Sequence, residues 1–385
     1  MQNHSLMSLK RLIPNKIPIS LYIHLPWCEK KCPYCDFNIA INKSNGDEEL
    51  LMKAIFYDIE NSTELLHGRR FSSIYFGGGT PSLVSSKIIK KIINKLIDMD
   101  VVQSDCEINF ELNPKEVTKD YLAKIIDSGV NRVSVGIQSF DQSILNSLER
   151  NHSSNESFKA LDILSEFENI EASIDLIYGI MSQSISSFRS DIETFCSYGI
   201  NHLSLYQLTI EPNTIFYKKE LKIPEDSVIE SMELLAHEVL NKNNIFQYEV
   251  SSWSRANKYS KHNMNYWMYG DYLGVGPGAH SKITDEESIR RMVKLKRVNS
   301  YIEDPSKSLT TLVDNTSYDL DLAMNLLRIK DGVSLEQLKR QNIYLSKSFK
   351  EKILEGVDKG LLEKDAVKAT PQGYKFLNDT VNIFS

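Results

Sequence analysis

Six short β-rich runs, each followed by a polar or Gly/Pro break, recur along the first half of this chain. Helical patterns lie between them, and that alternation leaves few folds open. The runs start at Ser20 (SLYIHLPW), Ser72 (SSIYFGGG), Cys106 (CEINFELN), Asn131 (NRVSVGIQSF), Glu171 (EASIDLIYG) and Asn201 (NHLSLYQLTIE). SSKIIKKIINKLIDM from Ser85, TKDYLAKIIDSG from Thr118 and SSFRSDIETFCSYG from Ser186 read as helices between strands. Strands joined through helices imply βαβ crossovers and hence a parallel sheet. The pattern alone does not choose between a doubly wound sheet and a partial barrel. Polar residues within or just after the runs (His24, Gly77 to Gly79, Glu111, Gln138, Asp175 and Gln207) suggest one functional rim, as at the C-terminal face of a barrel.

At 385 residues the chain is long enough for two or three units. The expected division is an N-terminal lead (1–19), a partial (β/α)6 barrel (20–222) and an α+β extension of the barrel (223–308). A small C-terminal winged-helix-like domain (309–385) follows, with consecutive helices ending in a two-stranded wing. The extension is expected to hold a helix around Val228 to Asn241, an aromatic stretch that includes HNMNYW, and a turn-rich segment to about Ser308. Lys plus Arg number 45 against 51 Asp plus Glu, a net charge of −6, which gives none of the positive field that nucleic-acid binding uses. The first 20 residues carry no apolar run of signal-peptide length, and no stretch approaches a spanning helix, so a cytoplasmic location is expected.

Three of the five cysteines, Cys28, Cys32 and Cys35, crowd into one loop directly after the first run. In a reducing compartment such spacing points to metal or redox chemistry rather than to a disulfide framework. Structural zinc favours four ligands in paired spacings, and no second pair follows. Three thiolates suit an iron–sulfur cluster with one iron left open. Cys106 and Cys196, each alone in an apolar segment, read as buried structural thiols.

The C-x3-C-x2-C loop, with Tyr34 before its third cysteine, resembles that of the radical S-adenosylmethionine (SAM) superfamily. The resemblance implies a 4Fe-4S cluster on Cys28, Cys32 and Cys35, with SAM chelating the open iron and cleavable to a 5′-deoxyadenosyl radical. FGGGT stands where that superfamily has its GGE-like motif, so Gly78, Gly79 and Thr80 are candidates for the SAM amino group. Glu111 (ELNP), Gln138 (VGIQSF), Arg150 (LERNH) and Asp175 (IDLIYG) complete the candidate SAM set. Carboxylates and amides can accept from ribose hydroxyls, and a guanidinium can grip a carboxylate. Tyr22, six residues before Cys28, joins this set by position.

YIHLPWC, CPYCDF, FGGGTPS, GIQSFD and IDLIYG are similar to one subfamily in particular, the oxygen-independent coproporphyrinogen III oxidases and their HemW-type heme-chaperone relatives. The oxidases have a fourth Cys two residues after the third, where this chain has Phe37. They also carry an extension before the cluster, whereas 27 residues precede Cys28 here. His262, Asn263, Tyr266 and Trp267 match the HNxxYW motif of the chaperones. The resemblance thus implies heme as a further ligand bound at these four residues, and heme-acceptor proteins of respiration as partners. A homodimer is a candidate state of association, and any membrane contact is expected to run through a partner. The alternative is an oxidase decarboxylating porphyrinogen propionates.

Overall fold

The computed structural model describes residues 12–41, 43–255 and 257–385, so residues 1–11 of the expected N-terminal lead lie outside the described residues. All six β-rich runs are strands: β1 (Ile19–Leu25), β2 (Phe71–Gly78), β3 (Val102–Leu112), β4 (Arg132–Gln138), β5 (Glu171–Tyr178) and β6 (His202–Gln207). They lie side by side in chain order, each neighbouring pair parallel. Helices α1 (Asp47–Asn61), α2 (Ser86–Asp98), α3 (Lys119–Asp127), α4 (Gln142–Ser147), α5 (Ser154–Ser165) and α6 (Ile185–Ser197) make the crossovers. Side-chain caps set the starts of α2, α3, α5 and α6: Ser85, Thr118 and Ser184 each accept from a first-turn backbone N–H, and Ser153 forms a capping box with Glu156.

Strands buried on both faces of a parallel sheet usually read as continuous apolar runs. Here they alternate. Val133, Val135 and Ile137 of β4 are buried in the main apolar core with Ile89, Ile92 and Leu96 of α2 and Leu122 and Ile125 of α3. The residues between them, Arg132, Ser134, Gly136 and Gln138, line a cavity. The same period of two runs through β3, β5 and β6, so the sheet carries an apolar outer face under the helices and a polar inner face.

Beyond β6 come α7 (Ile215–Lys218), α8 (Asp226–Lys242), β7 (Phe246–Glu249), β8 (Ser252–Ser254), α9 (Lys261–Trp267), β9 (Asp271–Val275), β10 (His280–Thr284), β11 (Ile289–Lys294) and β12 (Ser308–Leu312). HNMNYW lies on a helix, α9, capped by Ser260. β9 pairs parallel with β1, and β10 to β12 continue antiparallel; on the other side β8 and then β7 extend from β6. Both outer barrel strands therefore take partners from the extension, and the six-stranded barrel stays open. Two buried ion clusters fasten the extension. Asp271 accepts from Arg69 Nη1 at 2.7 Å and Lys282 Nζ at 3.0 Å, and Asp58 accepts from Lys294 Nζ at 2.6 Å and the Tyr301 hydroxyl at 2.8 Å. Removing one member of such a buried pair costs about 3–5 kcal/mol, because it strands the other charge away from water.

β12 carries the sheet to Leu312, past the 308 boundary expected from sequence. Helix Asn315–Leu326, strand Val333–Ser334, helices Leu335–Arg340 and Lys347–Asp358, and strand Ala366–Val367 then follow in winged-helix order. Val333 pairs antiparallel with Val367, and a Leu362–Ala369 bridge closes the wing. The chain does not stop at the wing, because Pro371–Lys375 and Leu377–Asn382 are helical; Thr370 caps the first of them. This unit has its own apolar core, with Leu322, Leu326, Leu338 and Phe349, joined to the extension through Tyr269 and Ile289. Among the described residues no helix is long and apolar enough to cross a membrane.

Candidate cofactor site at the barrel mouth

The cysteine loop leaves the C-terminal end of β1 and is pinned at its base by backbone bonds. Cys28 N donates to Ala40 O at 3.0 Å, Ala40 N to Pro26 O at 2.8 Å, Gly79 N to Leu25 O at 2.8 Å and Thr80 N to Trp27 O at 2.7 Å. The glycines of β2 permit this closeness. A Cβ on Gly79 would lie 2.5 Å from the Trp27 carbonyl oxygen, and one on Gly78, at φ 114°, would lie 2.7 Å from the His24 ring. Above that rigid base Cys28, Cys32 and Cys35 are free thiols, partly exposed.

All three line one cavity of about 370 Å³, within the range of small-molecule sites. Around it stand Tyr34, Gly78, Gly79, Thr80, Glu111, Gln138, Arg150 and Asp175, so the fold gathers the whole candidate SAM set except Tyr22. Tyr22 does not line the cavity; its ring stacks at 6.1 Å on Tyr75, which does, and its hydroxyl lies 3.1 Å from His24 Nδ1. Arg150 connects the two halves of the site: Nη1 donates to Cys32 Sγ at 3.5 Å and to the Tyr34 hydroxyl at 3.2 Å, and Nη2 to Gly136 O at 3.1 Å. Its Nε is buried with no partner among the described residues. The Thr80 hydroxyl donates to Cys28 Sγ at 3.4 Å.

Two carboxyls face the cavity. Burial pushes Glu111 up to about 7, with Asp175 adding to the rise, against the hydrogen bond from the Tyr75 hydroxyl at 2.7 Å. Burial likewise pushes Asp175 up to about 6, although Ser134 Oγ lies 3.0 Å and 3.1 Å from its two oxygens. Both groups are held as hydrogen-bonding partners aimed into the lumen.

Burial pushes the Cys28 thiol up to about 11 and raises Cys35 as well. Thiolates so disfavoured are stabilised by binding metal. Among the described residues no three His, Cys, Asp or Glu side chains converge to hold a single ion. A zinc site would need that convergence, whereas an iron–sulfur cube takes its thiolates at separate corners. Three partly exposed thiols on one loop, two of them receiving hydrogen bonds from Thr80 and Arg150, fit such a cluster.

Sequence reasoning missed most of the strand residues that line the lumen, among them Tyr75, Asn109, Arg132, Ser134, Gly136, Ser173, His202, Ser204 and Tyr206. The signal was present. Asn109 precedes Glu111 by two, Ser134 and Gly136 precede Gln138, Ser173 precedes Asp175, and His202, Ser204 and Tyr206 alternate on β6. Steps of two from Gly77, Glu111, Gln138 and Asp175 recover the lining residues of β2 to β5, whereas Gln207 lies out of step with His202, Ser204 and Tyr206 of β6.

The HNxxYW residues divide. Asn263 lines the cavity. His262 does not: it is 2% exposed, with Nδ1 2.9 Å from Ser73 Oγ and Nε2 3.0 Å from the Tyr266 hydroxyl. Burial drives its pKa down to about 3. Both ring nitrogens are committed, which leaves none for an iron in this arrangement. Tyr266 packs edge-on to Tyr272 at 4.7 Å, and Trp267 lies under the Arg328 guanidinium at 4.2 Å. A sequence motif could not show this closure, because the partners Ser73 and Arg328 are remote in the chain.

An open parallel barrel with three cysteines on its first rim loop defines the class of radical SAM proteins, and residues 22–195 match the Radical SAM superfamily pattern. The chain is 35% identical over 371 residues to the heme chaperone HemW of Buchnera aphidicola subsp. Acyrthosiphon pisum, covering 95% of this chain and 98% of that one. It is 31% identical over 370 residues to the heme chaperone HemW of Escherichia coli K12, again covering 95% and 98%. The chain belongs to the HemW family. In fold it is similar to the structure of coproporphyrinogen III oxidase (HemN) from Escherichia coli, described as a radical SAM enzyme, with a TM-score of 0.79 and 20% identity over 96% of this chain and 90% of that one.

Proposed function

We propose that this chain is a cytoplasmic heme chaperone, binding heme alongside a 4Fe-4S cluster and SAM and delivering heme to acceptor proteins of respiration. The observation that carries the choice is Phe37. It is 57% exposed on the cavity lining, two residues after the last loop cysteine, where the oxidase pattern has a fourth cysteine. The near-complete coverage of the curated heme chaperones supports the same reading.

In this reading Cys28, Cys32 and Cys35 hold the cluster. Gly78, Gly79 and Thr80 offer backbone and hydroxyl groups to the SAM amino group, Arg150 its charge to the carboxylate, and Glu111, Gln138 and Asp175 acceptors to the ribose. When bound, cluster and SAM supply one-electron chemistry at the sulfonium. The protein's own part is to place these groups on a stiff rim. Contact with a membrane would run through the acceptor protein.

Anaerobic reconstitution with iron and sulfide tests the proposal, followed on one preparation by heme titration and incubation with SAM and coproporphyrinogen III. Stoichiometric heme binding without decarboxylated product is expected. Decarboxylation with release of 5′-deoxyadenosine would replace the chaperone reading with the oxidase.

A further inference from the structure

A second cavity, of about 540 Å³, opens between α8, the β7–β8 edge of the sheet and the turn at Lys330 and Asp331. It shares no lining residue with the barrel-mouth cavity. His237 of α8 stands in its wall. The chain has eight histidines, and seven lie among the described residues. His24, His67, His152, His202 and His262 each have a ring nitrogen within hydrogen-bond distance of a partner. Of the other two, His280 lies exposed on β10 and lines neither cavity. His237 is thus the half-buried imidazole whose nitrogens have no partner among the described residues.

Around His237 the lining combines two aromatic rings, Phe246 and Tyr259, with the polar side chains of Asn241, Gln247, Ser254, Asn257, Lys330 and Asp331. Trp253 packs edge-on against the His237 ring at 4.6 Å and so fixes its plane. Burial, with Lys330 nearby, lowers the His237 pKa and keeps the ring in the neutral form that ligates metals. Phe246 is 54% exposed on the same wall, and Tyr259 is stacked on Tyr248 at 4.2 Å. The Lys330 ammonium has no ion pair among the described residues, lying instead 3.9 Å from the Tyr374 ring centroid. Ser254, itself 2% exposed, keeps a hydroxyl without a partner.

We propose that this groove is the heme site, with His237 as iron ligand, Phe246 and Tyr259 as walls for the macrocycle and Lys330 as the cation for a propionate. The assignment rests on the chaperone reading and gives the heme a location separate from the cluster. Iron is most often held by histidine where heme is carried, and the ligand must present a free ring nitrogen. His237 meets that condition, and His262 does not. A short aromatic relay joins the two cavities, because His202, on the lining of the first, stands 2.7 Å from the hydroxyl of Tyr248, whose ring stacks on Tyr259.

Ferric heme titrations followed at the Soret band, on reconstituted full-length protein, test this. His237→Gly should weaken heme binding about 10–100-fold and shift the Soret band, while leaving iron and sulfide content unchanged. Added imidazole should restore the band, a rescue that a merely structural role would not allow. Lys330→Glu should weaken binding, and His262→Phe should not. If the wild-type protein binds heme and His237→Gly binds it equally well, the groove is not the site, although the chaperone reading survives. If the wild-type protein binds no heme at all, both fall.

Discussion

The Arg150 guanidinium reaches the sulfur of Cys32 at 3.5 Å across 118 residues of chain. One cation thereby touches a cluster ligand, the Tyr34 hydroxyl and the β4 backbone, and lines the cavity in which SAM is proposed to sit. Arg150→Lys keeps the charge and loses the planar fork. Hydrogen bonds to charged groups contribute about 1.5–3 kcal/mol, so SAM affinity should fall about 10–100-fold. Cluster content should persist, since all three cysteines remain. Equilibrium dialysis with SAM, beside iron and sulfide analysis, measures both; unchanged SAM affinity would remove Arg150 from the carboxylate contact.

Changing Cys28, Cys32 and Cys35 together to Ala should abolish iron and sulfide incorporation while the melting temperature of cofactor-free protein barely moves. The thiols are partly exposed and the loop is pinned by backbone bonds at Ala40, Gly79 and Thr80 that the substitutions do not touch. A full iron load in the triple variant would refute the cluster assignment.

Gly79→Ala tests the stiffness of the rim. The new Cβ would meet two backbone oxygens, of Trp27 at 2.5 Å and of Pro26 at 2.7 Å, and neither can rotate away. Overpacking of this kind costs about 1–3 kcal/mol. Urea denaturation should show that loss, together with weakened SAM binding; full stability would mean that the loop base gives more readily than its bond network implies.

Glu111 sets a pH dependence. With its pKa near 7 in the folded protein against 4.5 for the free group, the folded state holds a proton that the unfolded state has released across pH 4.5–7. Stability of the cofactor-free protein should therefore fall as pH rises through that window, by about 2–3 kcal/mol from this group. His262, depressed to about 3, works in the opposite direction between pH 3 and 6.5, so wild type alone gives a mixed curve. The difference between wild type and Glu111→Gln, from urea titrations at pH 5 and 7.5, isolates the carboxyl. A difference independent of pH would show that Glu111 is already ionised in the folded state at pH 5.

His262→Ala should cost about 2–4 kcal/mol, because it opens a cavity beneath Tyr75 and leaves the Tyr266 hydroxyl without its bond. The denaturation midpoint reads this directly, and a neutral substitution would show that the imidazole is not part of the packed core.

Much of the barrel was legible in the amino-acid order. A period of two in the strands and of 3.6 in the helices reports which side chains share a face, and helix caps such as Ser85 and Thr118 mark where elements begin. The local loop C-x3-C-x2-C announces its chemistry because all its ligands lie within eight residues. Helix α1 and the lumen residues Tyr75, Ser134 and Ser173 were not singled out, although periodicity contained them, while on β6 the residue singled out, Gln207, is one step off the lumen face that Tyr206 lines. What the sequence could not determine is what each face meets. Both Asn263 and His262 stand in one motif on one helix; the tertiary structure turns the first into the cavity and closes the second against Ser73 and Tyr266. Arg150 enters the candidate SAM set by resemblance alone, and it is the fold that carries it across the chain to Cys32. Periodicity is a property of neighbours along the chain, whereas burial, partner and pKa arise from groups that only folding brings within a few ångströms.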